Sequence, residues 1–331
     1  MRIPLSILDL APVPSGTTAA LALRRTLDLA RLGDRLGYQR LWYAEHHGMP
    51  SVASAAPELL IANAAAATQR IRVGSGGIML PNHAPLKVAE LFRTLEALYP
   101  QRIDLGLGRA PGSDPNASHA LRALNGEMFP GLLSELLAFC GEAPFPEQHR
   151  YRSIAAMPTG VPLPPIWILG SSGASAQMAG NAGMGYSFAS HFSPTPAAPA
   201  FAAYRSRFRP SPGFAKPHAI LGVAAVCADT DAEADYLAAT MDLAWLRIRR
   251  GEFLPLPSPE EALAYPYAEF ERLAVRDYRS RTLIGAPATV ATAIERMAAD
   301  CGADEVMVVS NLYDHQARLR CYTLLAEALA D

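Results

Sequence analysis

Short apolar runs, separated by longer stretches with helical spacing, recur along the whole chain. Taken in order, the runs at Ile3–Leu10, Arg40–His46, Ile71–Leu80, Arg102–Arg109, Pro165–Ser171, Gly185–Phe192, Ile220–Asp229 and Glu305–Leu312 predict eight strands. The segments IWILG, ILGVAAV and EVMVV are continuously apolar rather than alternating, as expected of strands covered on both faces. Between the strands, Leu29, Leu32 and Leu36 share a helical face with Gly37 as a stop. Val290, Ile294 and Met297 share another, with Pro287 in its first turn and Gly302 behind it. Eight strand-then-helix units predict an α/β architecture, a closed parallel (β/α)8 TIM barrel, in preference to an open doubly wound sheet. On this reading residues 1–331 are a single domain.

Two stretches exceed a plain barrel unit. Residues 141–164 precede the fifth strand, are rich in proline, and predict a small hairpin. Residues 245–285 follow the seventh strand. They carry Arg247, Arg249 and Arg250, spaced prolines (Pro255, Pro257, Pro259), and the aromatics Tyr265, Tyr267, Phe270 and Tyr278. A connection this long with its own composition predicts either a mobile active-site lid or an ordinary surface excursion.

Composition narrows the class. Half the residues are hydrophobic and 18% are charged, enough to build a large core. A formal net charge of −2 gives no electrostatic footprint for nucleic acid or an acidic membrane surface. The four cysteines form no CxxC pair and have no histidine at ligand spacing, so no structural zinc is expected. The N-terminal MRIPLSILDL has no secretion pattern, and no window approaches the roughly 20 apolar residues that span a bilayer. A cytoplasmic setting is the expectation.

In such a barrel the chemistry sits at the C-terminal ends of the strands. After the second strand comes Glu45-His46-His47. After the third comes Gly74-Ser75-Gly76-Gly77, followed by Pro81-Asn82-His83. The fourth ends in Gly106-Leu107-Gly108-Arg109, the fifth in Gly170-Ser171-Ser172-Gly173-Ala174-Ser175, and the sixth in Ser190-His191. A strand entering a helix through Gly170–Ser175 offers free amides and hydroxyls to an anion, although the same residues also make an ordinary N-cap. Arg109 adds a planar fork suited to phosphate, or else forms a surface salt bridge. Glycines within a strand pattern signal a close approach, such as a flat ring against the backbone, or a packing requirement. Adjacent strand residues point to opposite sides, so His46 and His47 favour a catalytic or polarising histidine over shared metal ligation. His83 and His191 are either cavity groups or structural histidines.

Four of these stretches together resemble the bacterial-luciferase-like flavin monooxygenases in order and spacing. They are Trp42-Tyr43-Ala44-Glu45-His46-His47, Val73-Gly74-Ser75-Gly76-Gly77-Ile78-Met79-Leu80-Pro81, Asp104-Leu105-Gly106-Leu107-Gly108-Arg109 and Ile168-Leu169-Gly170-Ser171-Ser172. The resemblance covers nearly the whole chain, including Leu5–Val13. It implies that His46 lies near the flavin C4a position, where it supports oxygen activation and transfer, and that the acidic Glu45 lies beneath the ring. It places Gly76-Gly77 where the family has a small-residue pair joined by a non-prolyl cis peptide against the isoalloxazine. It makes Arg109 the phosphate-binding arginine, and Gly170, Ser171, Ser172 and Ser175 the loop around that phosphate. This departs from the commonest barrel phosphate site, after strands seven and eight. The 245–285 stretch corresponds to the family's mobile lid.

The implied activity is a two-component monooxygenase acting on a small organic substrate with reduced FMN and O2. The flavin is supplied by a separate NAD(P)H:flavin reductase, since the chain lacks a nicotinamide-binding Gly-x-Gly-x-x-Gly unit. A homodimer is the family-level expectation. The rival readings are a deazaflavin-dependent dehydrogenase on the same scaffold, a non-catalytic flavin-binding barrel, and a metal-dependent hydrolase built on Glu45-His46-His47.

Overall fold

A computed structural model describes residues 3–330. Its strands are β1 (Leu5–Asp9), β2 (Arg40–Tyr43), β3 (Arg72–Ser75), β4 (Ile78–Met79), β5 (Ile103–Gly108), β6 (Ile166–Gly170), β7 (Gly185–Ala189), β8 (Ala219–Cys227), β9 (Thr282–Gly285) and β10 (Glu305–Val309). All pairings between them are parallel. The order β1-β2-β3-β5-β6-β7-β8-β10 closes on itself because β10 pairs with both β1 and β8. The result is the closed eight-stranded (β/α)8 barrel. Each predicted strand is present. Two of the three continuously apolar runs are buried at every residue, in β8 and β10, while IWILG in β6 is buried through Ile168 and half-buried at Leu169 and Gly170.

Sequence signals at the helix ends translate directly. The Ala19–Leu36 helix starts at Thr18, whose Oγ1 accepts from the Leu21 amide, and stops at Gly37 in the left-handed region (φ 81°). Leu29 is fully buried, while Leu32 and Leu36 pack against the core from its margin. Gly302 likewise ends the Pro287–Cys301 helix.

The third predicted run is broken. The chain leaves β3 at Ser75, passes through a cis peptide between Gly76 and Gly77, and resumes as β4. The short β4 places Ile78 beside Leu107 and Met79 beside Gly108. A further strand, β9, forms the last residues of the long 245–285 insertion and pairs with the end of β8, from Ala224↔Thr282 to Cys227↔Gly285.

The hairpin expected within 141–164 does not form; the stretch has turns and bends and no strand. Its prolines lack the amides a ladder needs. It is held by an aromatic cluster, with Phe145 stacked on His149 at 4.5 Å and Phe139 edge-on to Phe145 at 5.1 Å. Arg93 clamps it further by donating to the carbonyls of Cys140 (2.8 Å) and Ala156 (2.7 Å). Residues 245–285 are mostly helical: the end of the Asp231–Arg249 helix, then Pro259–Ala264 and Glu269–Arg279, then β9. Trp245 stacks on Tyr278 at 4.8 Å inside this insertion. Leu256 ties it to the loop after β1, donating to Val13 O (2.9 Å) and accepting from the Ser15 amide (2.8 Å).

At the N-terminal end of the strands lies a buried charge network. Arg40 bridges Glu305 (2.7 Å) and Asp104 (2.8 Å), Arg72 reaches Asp104 at 2.6 Å, and His218 reaches Glu305 at 3.0 Å. Trp42 Nε1 donates to Asp104 at 3.1 Å, and Ser6 donates to Glu305. These groups stitch β1, β2, β3, β5 and β10 together at the end of the barrel away from the site. Among the described residues no helix is long and apolar enough to cross a membrane.

Candidate active site

The polar strand ends meet at the opposite, C-terminal end. After β2 the chain turns inward, with the Ala44 amide on Asp9 O (3.1 Å), the His46 amide on Ser54 O (3.0 Å) and the His47 amide on Gly112 O (3.1 Å). The same Gly112 carbonyl lies 3.2 Å from His46 Nδ1. A carbonyl only accepts, so Nδ1 carries the proton and Nε2 of the neutral ring is left as an acceptor. Gly112 has a positive φ of 65°, and a Cβ there would stand 2.6 Å from Glu45 O. Only glycine brings the loop after β5 this close to the loop after β2.

Glu45 and His46 have separate surroundings. Glu45 is fully buried, and both its oxygens are engaged. Oε1 accepts from His47 Nε2 (2.9 Å), Asn82 Nδ2 (2.9 Å) and His83 Nε2 (3.0 Å), and Oε2 accepts from the Met79 amide (2.8 Å). Burial opposes its ionisation, but the hydrogen bonds and positive character of His83, with His47 and Asn82, hold its pKa below the ordinary value. His83 is shifted the other way: burial disfavours its charge, yet Glu45 raises its pKa. His83 is thus a bonded partner of Glu45. Asn82 belongs to the same cluster and also donates to Pro111 O (3.0 Å). The sequence offered Asn82 only as the middle of Pro-Asn-His, with nothing to assign it a role.

Gly76 and Gly77 pack so closely that neither admits a side chain. A Cβ on Gly76 would meet Leu8 Cδ1 at 2.7 Å, and one on Gly77 would meet Gly106 O at 2.8 Å. The backbone itself forms the wall there.

Arg109 stands one residue beyond β5. β5 and β6 are paired as far as Leu107 beside Ile168, so Arg109 and the chain after Gly170 leave neighbouring strands at the same end of the barrel. Arg109 is exposed, and its guanidinium has no hydrogen-bond or ion-pair partner among the described residues. Beyond Gly170 the Gly173–Asn181 helix begins with Ser172 as its N-cap, and the Ser172 side chain caps no amide. The first amides of the helix point outward without carbonyl partners, and a Cβ on Gly173 would meet nothing within 4 Å. Ser175 is different: its Oγ donates to Ser172 O (2.8 Å) and lies 3.2 Å from Tyr186 Oη. Its hydroxyl shapes the loop, and its backbone amide is the group it offers outward. Tyr186 completes the support by donating to Ser172 O at 3.0 Å. Tyr186 reads in sequence as a plain core aromatic. A helix N-terminus and a free guanidinium thus follow neighbouring strands at one end of the barrel, and both are groups that fit a phosphate.

His191 follows β7, with its amide on Gly222 O (3.1 Å) and its Nδ1 3.4 Å from the same oxygen. Burial pushes its pKa down to about 4; the Gly222 carbonyl opposes the shift and nearby His46 adds to it. Burial also lowers the His46 pKa, against the pull of the Gly112 carbonyl and Glu45. Both rings are therefore neutral at pH 7. Among the described residues no group of three or more His, Cys, Asp or Glu side chains is arranged to hold a metal ion.

The chain as a whole has known relatives. The family model for luciferase-like monooxygenases covers residues 3–305. A luciferase-like monooxygenase of Escherichia coli K12 is 42% identical over 325 residues, spanning 97% of this chain and 96% of that one. The solved structure of apo-MsnO8 superposes with a TM-score of 0.89 at 40% identity, covering 99% and 98% of the two chains. The oxygenating constituent of a 3,6-diketocamphane monooxygenase from Pseudomonas putida, solved with FMN, has a TM-score of 0.72. At 20% identity, over 100% of this chain and 98% of that one, it shares the fold. The chain belongs to the luciferase-like monooxygenase family.

Proposed function

We propose that the protein is a flavin-dependent monooxygenase that takes up reduced FMN from a separate NAD(P)H:flavin reductase and uses it with O2 to oxygenate a small organic substrate. The observation that carries this reading is the unpartnered Arg109, which follows β5 at the barrel end where the neighbouring β6 leads into the open N-terminus of the Gly173–Asn181 helix and where His46 also lies. Arg109, with the amides that follow Ser171 and Ser172, would hold the phosphate. The Gly76–Gly77 backbone, which carries no side chains of its own, would back the ring. The bound cofactor supplies the oxygen chemistry. His46 offers a neutral acceptor nitrogen at the reacting centre, and Glu45 acts behind it by fixing His47, His83 and Asn82. The 245–285 insertion, tied at Leu256 to the loop after β1, excludes water during turnover. On this reading the protein works in the cytoplasm as a homodimer.

The test compares ligands that differ only where the proposed anion site acts. FMN should bind at least tenfold more tightly than riboflavin, and Arg109→Ala should remove most of that difference while leaving riboflavin binding unchanged. Equal affinity for the two would defeat the proposed phosphate site. A reduced deazaflavin outcompeting reduced FMN would assign the protein to the dehydrogenase branch instead.

A further inference from the structure

Three hydroxyls to which the proposed function gives no task converge on two successive backbone carbonyls, those of Ser171 and Ser172. β6 lies beside β7, with Gly170 opposite Phe188, so the chain leaving β6 runs past β7 and the loop that follows it. From that loop Thr195 Oγ1 donates to Ser171 O at 3.3 Å. Thr195 is itself held by the buried Ser193, whose Oγ lies 2.9 Å from Thr195 Oγ1 and accepts from the Thr195 amide at 3.2 Å. From β7, Tyr186 Oη donates to Ser172 O at 3.0 Å. Its buried ring is fixed against Phe201 and Tyr204 of the Ala197–Arg207 helix, at 6.0 and 5.6 Å between centroids. Ser175 Oγ donates to the same oxygen at 2.8 Å, in space that only a glycine at 170 leaves, since a Cβ there would collide with that hydroxyl. The helix's own bond to Ser172 O, from the Ala176 amide, is the longest of the three at 3.3 Å.

A trans peptide is planar, with its C=O and N–H pointing in opposite directions. Carbonyls drawn towards the β7 side therefore turn the amides of Ser172 and Gly173 away from it. Neither amide has a hydrogen-bond partner among the described residues. The Ser172–Gly173 peptide begins the helix and would point its N–H outward in any case. The Ser171–Ser172 peptide lies outside the helix, and Thr195 is what sets its direction. We infer that Tyr186, Ser175 and Thr195 are positioning residues, whose hydroxyls act from behind the loop to preset its amides for the cofactor phosphate and do not touch the phosphate themselves. This rests on the FMN reading above and extends it: the anion is recognised by backbone amides that need little reorganisation because their peptides are already turned. The side chains of β7 and its loop thereby become part of a site whose amides belong to the chain after β6.

The test is equilibrium binding of FMN and of riboflavin to the full-length protein, followed by flavin fluorescence. The ratio of the two dissociation constants is the readout; a merely structural loss would weaken both ligands alike and leave it unchanged. Thr195→Val and Tyr186→Phe each keep the side-chain shape and remove the donor. Each should lower the preference for FMN roughly fivefold, the worth of one ordinary hydrogen bond. Thr195→Ser, which keeps the hydroxyl, should retain the wild-type preference. Thr195 is exposed, and Thr195→Val decides the matter alone if Tyr186→Phe does not fold. An unchanged ratio in Thr195→Val and Tyr186→Phe, in a protein whose preference for FMN is lost in Arg109→Ala, overturns the inference while the phosphate site stands. A wild type that binds FMN no better than riboflavin overturns both.

Discussion

His46 and Gly112 are joined by a hydrogen bond between two different barrel loops, with the imidazole Nδ1 3.2 Å from the glycine carbonyl. The contact decides which nitrogen of His46 is open. It depends on a glycine whose φ is 65° and whose missing Cβ lets the chain pass Glu45 O. Replacing Gly112 with Ala should cost about 1–3 kcal/mol, from the left-handed backbone and the 2.6 Å collision together. A denaturant titration checks this; a change within error would mean that the loop shifts freely and His46 is not held as described.

How much of this arrangement was legible in the sequence depends on how local each feature is. The eight barrel strands were readable because runs such as Ala219–Cys227 are apolar at every position, a signal carried within one segment. β9 was not, because Thr282–Gly285 is four residues long, only its end residues are buried, and it lies in a stretch read by composition. His46 stood out by its place just past a strand. Its partner Gly112 did not, since the two are 66 residues apart and meet only once the barrel closes. The same reason hid the pairing of Glu45 with His83, 38 residues on. Arg40, Asp104 and Glu305 were visible as charges inside apolar runs, yet only closure of the ring makes them neighbours.

That charge network sets the acid limit of the fold. Asp104 is buried; Arg40 and Arg72 overcome the cost of burial and hold its pKa below the ordinary value. Arg40 and His218 do the same for Glu305. For groups with depressed folded pKa values, the stabilisation is present above the unfolded value of about 4 and is lost as pH falls through the folded value. Stability should therefore drop steeply below about pH 4. Arg40→Met should cost on the order of 3–5 kcal/mol at neutral pH by leaving two buried carboxylates without their shared partner. Retention of wild-type stability in that variant would show the network to be dispensable.

His191 adds a second pH window. Its folded pKa, near 4, lies below the usual value of 6.5, so the unfolded chain binds its proton first as pH falls. Its contribution is full above about pH 6.5 and declines towards pH 4, by a total on the order of 3 kcal/mol. Denaturation midpoints measured across this range should show the decline in the wild type and a flatter profile in His191→Phe. Parallel profiles would argue against a buried neutral ring.

His46→Ala removes the acceptor nitrogen nearest the proposed chemistry while leaving Gly112 and Glu45 in place. Oxygen use should then become wasteful, with hydrogen peroxide appearing roughly tenfold faster or more after reduced FMN meets oxygen. Peroxide release at the wild-type rate would deprive His46 of its assigned part.

The most direct test of the central claim mixes anaerobic protein, loaded with photoreduced FMN, with oxygenated buffer while the flavin spectrum is recorded. The account predicts that the visible absorption of oxidised FMN returns much more slowly than for free flavin, because the site holds and shields the reacting cofactor. Return at the rate of free flavin would contradict it, and would favour a barrel that binds flavin without turning it over or one that uses a deazaflavin.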